Sequence, residues 1–418
     1  MNLLKVENME RKKNCVSYIY TRSGKWNELL SNEIFFAEYD INIEDIPNSI
    51  LIIPLICNIL PISWVFNLEI ELDELDEDFF NCIDNIKRGY QEMFTSIKMA
   101  GSIKVNKLVK NKYTTEKTGT LFSGGVDAFN TLVQHIKETP VLLTVWGADV
   151  KLDDLEGWNK VRQHHVKVAE QFDIENSFVK SNLRTFYKYE TLSKYVRKFV
   201  DDEWWHGFQH GIGLLGLMAP LAYAMKFNII YIASSFTAEY KGKYTCASDP
   251  IIDNYLKFGS SGVIHDGYEF NRQDKIKNIC NYFVNSNVEN IPIRVCWQSN
   301  GGENCCKCEK CTRTILGILA EKNDPNKFGF YFNDDIKKNL QRKIIRYAKY
   351  NSSRYSCIQN RIYENYTEQE TPNYLKKFRK LKIQEKKPKY LILIEKTYSI
   401  LRKIKHLVEN NKHRRSSR

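Results

Sequence analysis

Leu121-Phe122-Ser123-Gly124-Gly125-Val126-Asp127 is the stretch that decides the fold. Residues 118–122 ahead of it read as a short buried strand. Residues 128–136 behind it carry apolar side chains at helical spacing. Two adjacent glycines join them. Glycine adopts positive φ without a Cβ penalty and lets a ligand approach the backbone closely. The first N–H groups of the helix then point at whatever lies beyond the turn, and the helix dipole favours an anion there. Ser123 adds a hydroxyl. Asp127 places a carboxylate where it can hold Mg²⁺ against phosphates. The turn does not read Gly-x4-Gly-Lys-Ser/Thr, so it is not a Walker A loop.

Strand and helix patterns alternate on either side of the turn. Residues 140–146 form an apolar strand ending at Gly147, and a helix follows over 152–172. Residues 176–179 form another strand, ending at Ser181-Asn182. A long helix with Leu214, Leu217, Met218, Leu221 and Met225 precedes a buried strand at 228–234. This rhythm predicts an α/β fold with a doubly wound parallel sheet. Ligands in such sheets lie at the carboxyl ends of strands, near the topological switch point. Trp146, Gly147 and Asn182 are therefore expected to border the ligand bound at the turn. Polar loops after the strand at 228–234 supply Glu239 and Asp249 as candidate substrate contacts. A further helix is expected to begin near Asn271. His206 and His210 flank two glycines before the long helix and read more readily as packed histidines than as phosphate ligands.

Near the other end, Cys296 is followed by Gly301-Gly302-Glu303 and then Cys305, Cys306, Cys308 and Cys311. The spacing Cys305-x2-Cys308-x2-Cys311, with Cys296 upstream, offers four thiolates to one tetrahedral ion. A Cys₄ set with no open position is the structural kind of zinc site. Cys306 breaks the x2 rhythm and is taken as a bystander, although it could substitute for Cys305. Lys307, Lys310 and Arg313 offset the thiolate charge. Clustered cysteines of this kind point to a reducing, cytoplasmic setting rather than a disulfide framework.

The Ser-Gly-Gly-x-Asp turn resembles the PP-loop of the N-type ATP pyrophosphatases. Joined to the late cysteine loop, it makes residues 115–325 similar to the 7-cyano-7-deazaguanine synthase (QueC-like) family. The matching positions are Ser123, Gly124, Gly125, Asp127, Cys296, Gly301, Gly302, Glu303, Cys305, Cys308, Cys311 and Arg313. Ala128 stands where that family usually has Ser or Thr, the first cysteine gap is one residue longer, and the turn begins unusually late. The resemblance implies an adenine nucleotide alpha hydrolase-like sheet, and an enzyme that splits ATP between its α and β phosphates to activate a substrate. ATP and Mg²⁺ would be held by residues 123–127, with catalytic roles for Ser123 and Asp127. Structural Zn²⁺ would be held by Cys296, Cys305, Cys308 and Cys311. The product would be an amide or nitrile on a small molecule or modified base. Two alternatives stay open: an adenylating nucleic-acid modification enzyme, and a non-catalytic nucleotide-binding scaffold.

A chain of 418 residues that is 43% hydrophobic can bury a large core in two or three domains. Residues 1–112 read as an N-terminal α+β domain: strands at 33–39, 49–55 and 64–72, then a helix at 76–94. Its role is open among interaction, substrate shaping and homodimer formation. Residues 113–330 form the PP-loop domain, with its zinc loop at 296–313. Residues 331–418 form a basic helical tail, with helices at 336–350 and 390–408. From residue 336 onward there are 24 Lys and Arg against 6 Asp and Glu, so this segment carries +18 of a chain total of +12 and the first 335 residues carry about −6. A basic amphipathic tail suits a nucleic acid, an anionic surface or a partner. No run of about 18 apolar residues exists to span a bilayer, and the first residues, interrupted by Glu7, Glu10 and Arg11, do not read as a signal peptide.

Overall fold

The computed structural model describes residues 2–296, 298–299, 301–385 and 388. Eleven strands form one sheet: β1 (Leu3–Lys12), β2 (Cys15–Arg22), β3 (Phe36–Tyr39), β4 (Glu69–Asp76), β5 (Ser102–Val109), β6 (Lys117–Leu121), β7 (Val141–Trp146), β8 (Asn176–Ser181), β9 (Phe227–Ala233), β10 (Lys257–Phe258) and β11 (Ser261–Asp266). Their order is β10-β11-β9-β6-β7-β8-β3-β2-β1-β4-β5. The five central strands β11, β9, β6, β7 and β8 run parallel. The chain steps outward from β6 through β7 to β8, then returns to the other side of β6 with β9. The strand order therefore reverses at β6.

Helices cover both faces of this central part. The helices Val126–His135, Leu155–Phe172 and Arg272–Asn285 share one face, joined by Phe129 against Phe172 and Phe172 against Tyr282. On the other face a large apolar cluster takes Val141 and Leu143 of β7, with Ile230 and Ile232 of β9. It joins them to the helices Ile53–Phe66, His210–Gly216 and Ala219–Met225. Leu142 is buried but outside that cluster, as alternation along a strand with two covered faces requires.

The expected separation at residue 112 has no counterpart in the sheet. β3 pairs antiparallel with β8, and β2, β1, β4 and β5 extend the same sheet outward. Residues 1–305 with 327–330 form one compact unit. The strand expected at 49–55 is helical, and so is the start of the one expected at 64–72. All fourteen residues of the helix Ile53–Phe66 are buried. A helix that is apolar all round shows no amphipathic period, so its run resembles a buried strand. Asn67 ends it at φ 55°, and β4 begins two residues later. The helix Glu77–Met93 starts where expected, with the Asp76 carboxylate accepting from the Phe79 N–H at 2.9 Å. The expected long helix is two short ones, broken at residues 217–218.

The second unit comprises residues 306–326 and 331 onward. Its helices Glu309–Ala320, Asp334–Ala348, Ser352–Asn365 and Asn373–Arg379 pack through Leu316, Ile344, Tyr355, Ile362 and Phe378. Arg361 holds Glu321 through Nε at 2.9 and 3.0 Å, and Tyr366 Oη donates to the Leu319 carbonyl. The expected helix at 336–350 is present. The one expected at 390–408 lies outside the described residues. The boundary expected at 330 falls differently, because Glu309–Ala320 belongs with the later helices.

An ion-paired histidine pins the end of the helix Val126–His135 to β11. His135 Nε2 lies 2.9 Å from Asp266, its Nδ1 lies 2.9 Å from Glu138, and Thr131 donates to Asp266 at 2.7 Å. Burial alone would lower the His135 pKa, but the bonds to Asp266 and Glu138 outweigh it and raise it. Burial would raise Asp266, but His135 and Thr131 hold its carboxyl below the usual range. The histidine's contribution is complete below the unfolded value of about 6.5 and is lost as pH rises through the raised native value. The aspartate's contribution is complete above about 4 and is lost as pH falls through the lowered native value. His135→Gln is therefore expected to lose about 1 kcal/mol near pH 5.5 and almost nothing near pH 10, read from denaturant melts at both values.

Candidate functional site

The turn at residues 123–127 sits at the carboxyl end of β6, where the strand order reverses. Gly124 is buried at φ +74°, and Gly125 is the N-cap of Val126–His135 with no side chain capping that helix. Ser123 is exposed, and its Oγ lies 3.4 Å from the Gly125 nitrogen. A Cβ at Gly124 would come within 3.0 Å of His164 and 3.3 Å of His165. Burial disfavours the charged form of both imidazoles. Burial lowers His164 to about 4 and His165 well below its ordinary value, the latter with help from His164 and Arg294. His164 Nε2 donates to the Pro292 carbonyl at 2.6 Å, and the hydroxyl of Thr144 joins His165 Nδ1 to the Phe122 carbonyl. These rings form the floor against which the turn rests.

Three cations surround the turn. The Arg294 backbone N–H donates to the Gly124 carbonyl at 2.7 Å, and its Nη2 donates to the Ser123 carbonyl at 2.9 Å. Its Nε is buried and has no hydrogen-bond partner in the protein. Burial pushes the Arg294 pKa below the ordinary arginine value, opposed by Asp149 and Cys296. Lys275, almost fully buried, bonds Asp127 at 3.2 Å and also the Ser234 carbonyl. Arg272 lies 3.4 Å from the other Asp127 oxygen. Lys275 and Arg272 occupy the first turn of Arg272–Asn285, which begins where expected and opens with a capping box. Asn271 accepts from the N–H groups of Gln273 and Asp274, and the Asp274 carboxylate accepts from that of Asn271. Lys275 thus links the ends of β6 and β9. The Asp127 carboxylate is held by two cations.

The other expected residues divide. Trp146 stacks on Trp158 with ring centres 5.1 Å apart, and its Nε1 donates to the Lys151 carbonyl. Gly147 at φ +106° passes so close to Ser181 that a Cβ would lie 1.9 Å from that carbonyl oxygen. The Asn182 side chain is spent on the segment leading into β3, accepting from Phe36 N–H and donating to the Ile34 carbonyl and Glu33. Asp249 caps a short helix by accepting from the Ile251 N–H, and Glu239 is exposed on a single 3-10 turn. Arg294, Lys275, Arg272, His164 and His165 were not foreseen. The one local signal was the helix start at Asn271, which placed an arginine and a lysine in the first turn of that helix.

The sulfurs of Cys296, Cys305, Cys308 and Cys311 all lie within 4.8 Å of one another. Tetrahedral zinc with bonds of about 2.3 Å needs sulfurs about 3.8 Å apart, so this set can close on such an ion. Burial would raise the Cys296 thiol, but hydrogen bonds from Cys305 and Gln298 bring it down to about 7. Cys308 also caps its helix, accepting from the Cys311 N–H. Cys306 has φ 54°, and its sulfur accepts from the Tyr331 N–H at 3.2 Å. The left-handed backbone there turns Cys306 away from its neighbour's direction, in keeping with a bystander.

No protein-family model matches this chain, and no curated protein matches it. Among the described residues no helix is long and apolar enough to cross a membrane.

Proposed function

We propose that the chain is a QueC-like ligase of the PP-loop ATP pyrophosphatase type, built on a doubly wound, adenine nucleotide alpha hydrolase-like sheet. One observation carries this reading: the glycine turn at the reversal point of the sheet opens onto a helix start without a side-chain cap, among Arg294, Lys275 and Arg272. Uncapped first-turn N–H groups and fixed cations together suit a polyphosphate.

The backbone of residues 123–126 would take the β,γ-diphosphate of ATP. A substrate carboxylate oxygen attacks the α-phosphorus, the bond to the β-phosphate oxygen breaks, and pyrophosphate leaves. Arg294, held in place through the Ser123 carbonyl, meets the charge that develops on the leaving group. A nitrogen nucleophile then attacks the acyl carbon and AMP departs, giving an amide; a second ATP adenylates the amide oxygen, and loss of AMP and the remaining N–H proton, with no second nucleophile, gives a nitrile. Mg²⁺ would supply further charge neutralisation, and Asp127 is the carboxylate offered to it. Zinc in the cysteine loop would be structural.

A second reading differs only in the acceptor. The +18 charge of residues 336–418 favours a nucleic acid. One experiment addresses both. Purified protein is given ATP and Mg²⁺ with panels of small carboxylic acids or RNA, and the products are resolved. AMP and pyrophosphate are expected, with Mg²⁺-dependent ATP binding that is lost in Asp127→Asn. ADP and phosphate as products, or no ATP binding by the wild type, would overturn the reading.

A further inference from the structure

The second unit carries a charged face that neither the turn nor the cysteine loop uses. Between Asp335 and Glu364 the chain holds eight lysines and arginines and no carboxylate. Six of the eight lie on or directly after the helix Asp334–Ala348. That helix buries Ile336, Leu340, Ile344 and Ala348. On its opposite side Lys338, Arg342 and Arg346 follow one another at four-residue steps, and all three are exposed. Four residues of α-helix rise about 6 Å, so the three charges form a line roughly 12 Å long. Neighbouring cations are already engaged. Lys337 pairs with Asp334 at 3.1 Å, Lys343 donates to the Lys307 carbonyl at 2.6 Å, Arg361 holds Glu321, and Arg354 reaches Glu309 at 3.9 Å. Among the described residues Lys338, Arg342 and Arg346 have no ion-pair partner. Like charges at i and i+4 repel, so the line destabilises its own helix until an anion meets it.

We propose that the face formed by Lys338, Arg342 and Arg346 binds the phosphate backbone of a nucleic-acid duplex without reading its sequence. The proposal rests on the nucleic-acid acceptor of the second functional reading and gives that acceptor a docking surface. Lysine and arginine contacts to phosphate position a protein on a duplex and carry no sequence information. A duplex presents one phosphate per about 1.7 Å of axis, so three cations spread over roughly 12 Å can each meet a different one. A bilayer fits less well. A helix lying in a membrane surface needs its apolar side for the lipid. Here that side is buried within the unit, and only Ile345, 42% exposed, stands among the cations. A single strand also fits less well, because such strands are held by aromatic rings on which bases stack. None of the exposed residues of this helix is aromatic.

The test uses the full chain and needs neither ATP nor turnover. Binding of a mixed-sequence RNA duplex of about 20 base pairs is followed by fluorescence anisotropy from ~50 to ~200 mM KCl. The triple variant Lys338→Gln, Arg342→Gln, Arg346→Gln is expected to bind at least ~10-fold more weakly at the lower salt. Its slope of log K against log [KCl] is expected to be shallower by about 2 to 3, with a melting temperature unchanged or higher. A second triple variant, Lys12→Gln, Lys13→Gln, Lys241→Gln, removes the same charge from other exposed positions and is expected to change the slope by less than about 1. The proposal is overturned if the two triple variants lose affinity equally, or if the separated single strand binds more tightly than the duplex. It is also overturned if vesicles of phosphatidylserine and phosphatidylcholine retain the protein and the duplex does not. If the duplex binds as expected and no RNA is adenylated, the surface stands and the acceptor assignment fails.

Discussion

Cys308→Ser protein is expected to retain almost no zinc after purification and to melt well below the wild type, whereas Cys306→Ser keeps both metal and stability. The two residues are neighbours but one, and composition does not tell them apart. Geometry does: Cys308 is one of the four converging sulfurs, while Cys306 turns its sulfur to the Tyr331 N–H. A closed Cys₄ site contributes roughly 10 kcal/mol or more of metal-binding free energy at neutral pH. That is comparable to the whole net stability of a typical domain, about 5–15 kcal/mol. Serine keeps an N-cap acceptor for the Cys311 N–H in place of the Cys308 sulfur, so the lost stability is that of the metal and not of the cap of Glu309–Ala320. Metal content by mass spectrometry and thermal melts on the same samples check both effects. Zinc lost from Cys306→Ser and kept by Cys305→Ser would show that the ligand set has been assigned to the wrong neighbour.

The parts of the fold visible in the sequence are those where local chemistry and burial agree. β6, the glycine turn and the helix behind it follow one another within twenty residues, and each carries its own signal. Asp76 and Asn271 announce their helices because a side-chain cap is a local device. The segment 49–72 misleads because it is buried on all sides, which erases the period that separates helix from strand. β5 alternates only over residues 102–106, with Ile103 and Val105 as its apolar positions. It lies at the sheet edge, mostly exposed, with Lys104 and Lys107 paired to Glu71 and Glu74 of β4. So short an alternation on an exposed edge is a weak strand signal. The candidate site divides the same way. Residues 123–127 are contiguous and legible, while Arg294 and Lys275 arrive from segments about 150 residues away. Only the parallel order of β6 and β9 brings them to one end of the sheet.

Arg294→Met is expected to weaken MgATP binding about 100-fold and to leave the melting temperature unchanged or slightly higher. The two effects separate because this side chain is poorly satisfied without a ligand. Its guanidinium is largely buried, bonds the Ser123 carbonyl through Nη2, and keeps Nε without a partner in the protein. Desolvating a cation costs several kcal/mol, and a lone carbonyl returns only part of that, so an apolar residue of similar length can be neutral or stabilising there. The backbone bond from residue 294 to Gly124 survives the change, which keeps the turn in place. Toward a polyphosphate the balance reverses. A charge-assisted bond to phosphate is worth about 1.5–3 kcal/mol, which corresponds to roughly 10- to 150-fold in affinity. Arg294→Lys is expected to fall between, since it keeps the charge and loses the planar fork. Calorimetric titration gives the affinities and a thermal melt without nucleotide gives the stability. Equal loss of both in Arg294→Met would mean that the arginine holds the fold together. Unchanged affinity would mean that the anion, if one binds, lies elsewhere.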